Sequence, residues 1–350
     1  MRRVAKISAA CMASAALALS ATACGSTSSE KEDSGSDSGK GGVKVGLAFD
    51  VGGRGDHSFN DSAARGADKA KKDLGAELKE LTAKTSDTEA DRVQKLTDLA
   101  DAGYNPIVGV GFAYAGAVNK VSAKYPDTTF GIVDSVVDQK NVDSIVFTEE
   151  QGSYLAGVAA ALKTKKNHVG FIGGNDNPLI KKFEAGYVQG VKDTDPKIKI
   201  DRQYLSRGND TSGFTSPDKG ESAAEGMLDR GADVVYTAAG NSNTGAIEAA
   251  AGVKGAWAIG TDSDQYAVPA LAKFKHAILS SMLKNVDIGV YDLVKSVKDG
   301  KPKTGVSSYA LKDKGVALAT SGGYLDDIEA KLDAAEKKIV AGDIKVKTTP

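Results

Sequence analysis

Polar side chains that could hydrogen-bond a small ligand follow most of the apolar runs in this 350-residue chain. They lie at Asp50, Asp56–Asn60, Asp134, Thr261–Gln265 and Ser280–Lys284. A carboxylate can accept two hydrogen bonds from a vicinal diol, whereas an amide both donates and accepts. Carboxylates, amides and a single lysine therefore favour a neutral ligand that is rich in hydroxyl groups.

Glycine-rich loops and aromatic residues occur at equivalent places along the chain. The loops Gly109–Ala113, Gly173–Asn177 and Ala238–Gly245 each follow an apolar run. Phe112 and Phe183 offer a flat face on which a base could stack, although a single phenylalanine is more often part of a core. No loop continues as Gly-x-Gly-x-x-Gly, so a dinucleotide site is not predicted.

The usual signatures of catalysis are missing from the sequence. It has no Gly-x-Ser-x-Gly elbow, no histidine pair at metal spacing and no Gly-Lys-Ser/Thr phosphate loop. Asp50 with Asp56, or Asp262 with Asp264, could form an acid–base pair. Helix capping or a clamp on sugar hydroxyls explains such turns better. We therefore expect no catalytic residue, no metal and no cofactor, and hence no enzyme.

The elements that must position these residues alternate between apolar strands and helices. Near-continuous apolar strands such as Val43–Phe49 are typical of parallel sheets that are covered on both faces. The pattern restarts near residue 165, which predicts an α/β fold of two doubly wound lobes. Crevices at the carboxyl ends of facing strands would form a ligand cleft. The late strand Ala277–Met282 is expected to lead the chain back to the first lobe.

The first residues predict an exported protein. Cationic residues, the apolar run Ile7–Ala21 and small residues precede Cys24. This arrangement resembles the lipobox of bacterial lipoproteins, except that Ala21 replaces the usual leucine. We predict a signal peptide over 1–23, lipidation of Cys24 and a flexible Ser/Gly-rich tether over 24–42. The alternative is an ordinary cleaved signal in which Cys24 is incidental.

Composition excludes several functions for the mature body, which is the part of the chain after the predicted tether. The 45 basic residues nearly balance the 46 acidic ones, so no nucleic-acid partner is predicted. The two cysteines are Cys11, in the signal, and Cys24, at the proposed anchor. The body therefore has no disulfide, no thiolate metal site and no cysteine nucleophile.

The segment Phe49–Asn60, followed by Gly66, resembles the opening signature of the basic membrane protein family. These lipoproteins are the substrate-binding components of ABC transporters, and purine-nucleoside receptors are among them. The similarity continues in the correct order through Glu150–Gly157, Val169–Gly174, Phe183–Tyr187, Gly231–Val235, Gly260–Gln265 and Ser280–Lys284. Together these segments cover nearly the whole body.

The resemblance implies a type I periplasmic-binding-protein fold, in which two α/β lobes are joined by a hinge of crossing strands. The N-terminal lobe is expected to comprise 43–147 plus about 282–305. The C-terminal lobe would comprise 148–281 plus about 306–350.

In family members that bind purine nucleosides, aromatic rings sandwich the base, and acidic and lysine side chains hold the ribose. Carried over, the set of ligand-binding residues is Asp50, Phe59, Asn60, Phe112, Asp134, Phe183, Gly240, Asp262 and Lys284. Asp50 and Asn60 would hydrogen-bond the ligand. Phe59 and Phe183 would enclose the base, with Tyr236 as the rival of Phe183. Asp134 would lie by the hinge and the base edge, Asp262 and Lys284 would hold the ribose, and Gly240 would offer backbone.

The function implied is that of a monomeric receptor, lipid-anchored on the extracytoplasmic face of the cell membrane. It would deliver a purine nucleoside such as adenosine, guanosine or inosine to ABC permease and ATPase subunits. Three alternatives remain: a receptor for a sugar or modified nucleoside, a nucleoside-cleaving hydrolase and a signalling receptor. The family often has a Gly-Gly-Thr-Gly-like turn where this chain has Gly240–Gly245. The added polar side chains there could reach the ligand.

Overall fold

Apolar strands that are buried on both faces organise the structure, a computed structural model that describes residues 42–350. The predicted signal peptide, Cys24 and most of the tether lie outside the described residues. The strands are β1 (Lys44–Phe49), β2 (Glu77–Thr82), β3 (Ile107–Gly109), β4 (Phe130–Val133), β5 (Val142–Phe147), β6 (His168–Gly173), β7 (Lys199–Tyr204), β8 (Val234–Ala238), β9 (Trp257–Asp262), β10 (Ile278–Lys284), β11 (Gly305–Tyr309) and β12 (Val316–Leu318).

Helices alternate with these strands and cover the sheets. They are α1 (Phe59–Leu74), α2 (Glu89–Asp101), α3 (Ala115–Ser122), α4 (Glu149–Lys163), α5 (Pro178–Thr194), α6 (Pro217–Asp229), α7 (Asn243–Gly252), α8 (Val286–Lys298) and α9 (Glu329–Ala341). Across residues 42–350, no helix combines the length and the apolar character needed to span a bilayer.

Two six-stranded sheets form the two lobes, which confirms the predicted fold class. The first sheet has the order β11-β5-β4-β3-β1-β2, and all its pairs are parallel. The second has the order β12-β10-β9-β8-β6-β7, and only the pair of β12 with β10 is antiparallel within the described chain. In both sheets the order doubles back at the first strand, which places a crevice at the carboxyl ends there.

The late strand β10 lies inside the second sheet, between β9 and β12, and the chain crosses to the first lobe directly after it. The return is made by α8, which packs on α1, and by β11, which pairs with β5. An apolar run such as β10 needs neighbours on both sides. β11 is largely exposed and rich in serine, which makes it a weak signal for a strand.

The chain therefore passes between the two sheets three times, after β5, after β10 and after β11. These three passages form the hinge. The first is at Thr148, between the end of β5 and the start of α4. The second is at Asn285, between β10 and α8. The residues beside these two passages reappear in the functional site.

Candidate functional site

The carboxyl ends of strands from both sheets enclose a cavity of about 570 Å³, including its opening. All nine residues predicted to bind a ligand line it: Asp50, Phe59, Asn60, Phe112, Asp134, Phe183, Gly240, Asp262 and Lys284. Four further lining residues belong to loops that the sequence had singled out, namely Asp56, Gly111, Ala238 and Thr261. Sequence reasoning did not select the remaining four, which are Val51, Leu179, Ile180 and Phe214.

The loop between β1 and α1 forms one corner of the cavity. Asn60 donates from Nδ2 to the Val51 carbonyl oxygen (3.1 Å) and to Asp56 Oδ2 (3.0 Å), and its Oδ1 accepts from the Asp50 N–H. Asp56 also accepts from the backbone N–H groups of Ser58 and Asn60 at the start of α1. Both N–H groups of Asn60 are thus occupied within the protein. Its Oδ1 can accept one more hydrogen bond.

Asp50 presents one carboxylate oxygen to the cavity. Its Oδ1 accepts from the Val51 N–H at 2.8 Å, while Oδ2 lies beside Gly111. A Cβ on Gly111 would approach Oδ2 to 2.5 Å, and the φ of +105° also requires glycine there. Burial raises the pKa of Asp50 to about 6.

A buried ion cluster lies where the cavity meets the hinge. The Lys284 ammonium is 2.6 Å from Asp134 Oδ2 and 3.3 Å from Glu149 Oε1. Burial alone would lower the pKa of Lys284, but Asp134, Glu149 and Asp262 together raise it above its ordinary value. Burial raises the pKa of Asp134 above its ordinary value, against the opposing charge of Lys284. Within the described residues, Asp134 Oδ1 has no hydrogen-bond partner.

Asp134 and Asp262 occupy equivalent places in the two lobes. Each ends or follows a strand, β4 and β9 respectively, and each has a left-handed backbone, with φ of +68° and +69°. This conformation is uncommon for residues other than glycine and is concentrated at functional sites. Burial raises the pKa of Asp262 to about 7.

Hydrogen bonds between Ser58–Arg65 and Thr261–Gln265, which we call the clasp, join the lobes beside the cavity. Ser58 Oγ donates to Asp262 Oδ2 (2.7 Å) and lies 3.0 Å from the Thr261 carbonyl oxygen. Ser263 Oγ donates to the Ser58 carbonyl oxygen (2.6 Å) and accepts from Arg65 Nη1 (3.0 Å). The lobes are therefore in contact across the cleft, and Asp262 takes part both in the cavity and in the clasp.

Four phenylalanines bring aromatic surface to the cavity. Phe59 and Phe112 come from the first lobe, and Phe183 and Phe214 from the second. Phe214 ends a single helical turn, Ser212–Phe214, in the polar loop between β7 and α6. Phe214 does not directly follow the end of a strand, so sequence reasoning missed it. The one sequence feature that could have identified Phe214 is its position as an aromatic residue in a stretch of serine, threonine, glycine and aspartate.

Tyr236, expected as an alternative to Phe183 beside the base, faces the protein interior instead. Tyr236 lies in the core of the second lobe, where its hydroxyl is 3.0 Å from Ser153 Oγ and its ring packs on Phe171 and Tyr187. It is therefore not the rival of Phe183 as a lining aromatic.

The polar turn Gly240–Gly245 also differs from its prediction. Ser242 donates to the Gly213 carbonyl oxygen, and Asn243 Oδ1 accepts from the Ala239 N–H. Both side chains are buried and hold neighbouring loops together. Gly240, with a φ of +56°, is the residue of this turn that lines the cavity.

The cavity thus combines aromatic faces, buried carboxylates and one ammonium. In the part of the chain from 42 to 350, no group of three or more His, Cys, Asp or Glu side chains is placed to hold a metal ion. The carboxylates can accept hydrogen bonds from hydroxyl and N–H groups, and the rings can enclose a planar group. This chemistry suits the binding of a neutral, partly planar molecule.

Comparison with known proteins agrees with this chemistry. The chain matches the model of one family, ABC transporter substrate-binding protein PnrA-like, over residues 43–349. It is 37% identical over 343 residues to the CD4+ T-cell-stimulating antigen of Listeria innocua, with 94% of each chain covered. It is 35% identical over 323 residues to the ABC transporter nucleoside-binding protein BmpA of Lactococcus lactis, covering 87% of this chain and 89% of that protein.

The same similarity extends to solved structures. A solute-binding protein of an ABC transporter system from Aeropyrum pernix matches with a TM-score of 0.75 at 28% identity. That match covers 87% of this chain and 93% of the other.

Proposed function

Because the chain belongs to the family of PnrA-like ABC transporter substrate-binding proteins, we propose that it captures a purine nucleoside and delivers it to a permease. The observation that carries the proposal is the lining of the cavity between the lobes. Four phenylalanines there share one cavity with the carboxylates of Asp50, Asp134 and Asp262. A nucleoside needs both kinds of surface, because its base is planar and its ribose is rich in hydroxyl groups.

Each lining residue has a role in this proposal. Phe59 and Phe183 stack on the base, and the free Oδ1 of Asp134 accepts a hydrogen bond from the base edge. Asp262 and Lys284 bond the ribose hydroxyls. The name of the Lactococcus lactis relative, a nucleoside-binding protein, supports this assignment.

Closure of the lobes retains the ligand. A ligand that contacts both lobes binds the closed state better than the open state, so it shifts the population towards closure. The clasp residues Ser58 and Ser263 form their bonds across the lobes only when the cleft is closed. Release to the permease then requires that these bonds break.

The setting of the receptor is also part of the proposal. A lipid on Cys24 holds a monomer at the outer face of the cell membrane, next to ABC permease and ATPase subunits. More than one acyl chain gives stable anchoring, whereas a single chain gives only marginal binding.

A thermal-shift panel on the mature body tests the ligand class. Adenosine, guanosine and inosine should raise the melting temperature, because a ligand that binds only the native state stabilises it by mass action. Ribose and free bases should raise it much less. Stabilisation by free sugars without any by nucleosides would replace the nucleoside by a sugar. Mass spectrometry of the small molecule that copurifies with the protein identifies the ligand directly.

A further inference from the structure

We propose that Glu149 is a positioning residue for Lys284, and that its charge makes the cavity select neutral ligands over anionic ones. The inference rests on the proposed function in one respect, namely that Lys284 bonds the ligand. Glu149 itself contacts Lys284 from outside the set of residues that line the cavity.

Glu149 and Lys284 join two of the three passages of the hinge. Glu149 is the first residue of α4, directly after the chain leaves the first sheet, and Lys284 is the last residue of β10, directly before the chain returns. Both side chains are 1% exposed, and 3.3 Å separates the carboxylate oxygen from the ammonium. The ammonium is therefore fixed between Glu149 of the second lobe and Asp134 of the first.

The packing of α4 fixes the position of the Glu149 carboxylate. α4 lies so close to α5 that a Cβ on Gly186 would approach the Glu150 carbonyl oxygen to 2.0 Å. The first turn of α4 is thus held against its neighbour. A carboxylate at this end of a helix is also favoured by the helix dipole.

The charges around Lys284 explain the selectivity. One ammonium lies beside two carboxylates, those of Asp134 and Glu149, so its positive charge is more than balanced. Lys182 approaches the other oxygen of Glu149 at 3.4 Å, but its side chain is 35% exposed and water screens part of its charge. Lys284 therefore offers N–H donors without a surplus of positive charge. A negatively charged ligand would meet an excess of carboxylate.

Glu149→Gln keeps the shape of the side chain and removes this charge. The probes are adenosine-5′-carboxylate and adenosine-5′-carboxamide, which have nearly the same shape and differ by one charge. The ratio of the carboxylate Kd to the carboxamide Kd should fall roughly tenfold in Glu149→Gln. Glu150→Gln is the matched control, because Glu150 is a buried carboxylate in the same turn and forms no ion pair in the described chain. It should leave the ratio within about twofold of wild type.

Lys182→Gln supplies a second variant, for which a change of the ratio in the opposite direction is expected. Without Lys182 the charge of Glu149 is less balanced, so the ratio should rise by about twofold. An unchanged ratio in Glu149→Gln, or an equal fall in Glu150→Gln, would overturn the selectivity argument.

A ligand-free measurement separates this inference from the proposed function. In protein with ¹⁵N-labelled lysine, a buried and ion-paired ammonium gives a signal that exchanges slowly with water, and Lys284→Met identifies it. The signal should shift and exchange faster in Glu149→Gln but not in Glu150→Gln. If it does not change, the positioning role is wrong. If no nucleoside binds the wild type, the proposed function fails, while this signal still tests the positioning role.

Discussion

The side chains in the cavity divide into those that support the fold and those whose removal affects the ligand alone. Phe59 is partly buried, whereas Phe183 is 2% exposed and belongs to the core of the second lobe. Phe59→Ala should weaken the binding of purine nucleosides by roughly 1–3 kcal/mol, since base–aromatic stacking has this magnitude. The loss should be similar for all purines, because every base has a π-face. Titration calorimetry measures it.

Phe183→Ala provides the comparison for this prediction. It should also lower the free energy of unfolding by about 3–5 kcal/mol, because it leaves a cavity in the core. If Phe59→Ala lowers the free energy of unfolding as much as Phe183→Ala does, the role of Phe59 as a ligand-binding residue is contradicted.

Lys284 illustrates the opposite case, in which a ligand-binding residue is essential for stability. Lys284→Met would leave Asp134 buried without its cation and Glu149 with only the partly exposed Lys182. Removing one partner of a buried pair costs about 3–5 kcal/mol of stability at neutral pH. Urea unfolding of the ligand-free body measures this loss.

The double variant Lys284→Met with Glu149→Gln completes the test. It should recover part of the lost stability, since one of the two carboxylates that lost Lys284 is gone. Additive losses in the two single variants would mean that the two residues do not interact.

At the scale of the elements, the start of α1 and the loop after β9 together hold the two lobes in contact. The Ser58 hydroxyl belongs to the first lobe and bonds Asp262 of the second. Ser58→Ala should shift the ligand-free protein towards the open state, because it removes a hydrogen bond to a charged group worth about 1.5–3 kcal/mol. Small-angle X-ray scattering should show a larger radius of gyration.

Binding kinetics give a second measure of the clasp. Ligand dissociation should become roughly tenfold faster, since most effects of such changes appear in the dissociation rate. Ser122→Ala is the control, because Ser122 is buried in α3 and its hydroxyl bonds only the Asn119 carbonyl oxygen among the described residues. A closed ligand-free state in both variants would show that the clasp does not hold the lobes.

Sequence patterns predicted the continuous apolar strands well and the serine-rich edge strand β11 poorly. β1, β4 and β6 are continuous apolar runs, and their carboxyl ends had to meet at one edge of each sheet. This rule brought Asp50, Asp134 and their partners to one cavity. β11 has mostly exposed residues and carries little periodicity, so its sheet could not be assigned.

The direction in which side chains outside the strands point could not be predicted from the sequence. Asn243 and Phe214 both belong to polar stretches between a strand and a helix, yet Asn243 bonds a neighbouring backbone and Phe214 lines the cavity. A pattern of residue types fixes where a strand ends but not how the next turn rotates. The contact of Glu149 with Lys284 likewise depends on two passages of the hinge that are far apart in sequence.

At the scale of the whole molecule, buried carboxyl groups in the cavity make stability depend on pH. The ordinary pKa of an aspartate is 3.8, whereas in the folded protein burial raises that of Asp262 to about 7 and that of Asp50 to about 6. The native state therefore binds more protons than the unfolded state between about pH 4 and pH 7. Stability then rises as the pH falls through this window.

The expected gain in unfolding free energy between pH 7.5 and pH 5.5 is about 2–3 kcal/mol for these two groups. It should not continue below about pH 4. There, ion-paired carboxylates such as Asp87, whose pKa is lowered by its bond to Lys95 despite partial burial, lose their contribution. Urea unfolding of the ligand-free body at the two pH values measures the gain. Asp262→Asn cannot titrate, so it should remove more than half of the difference. A stability that falls over this window, or a variant with the full wild-type dependence, would show that the cavity carboxylates are not the groups that take up the protons.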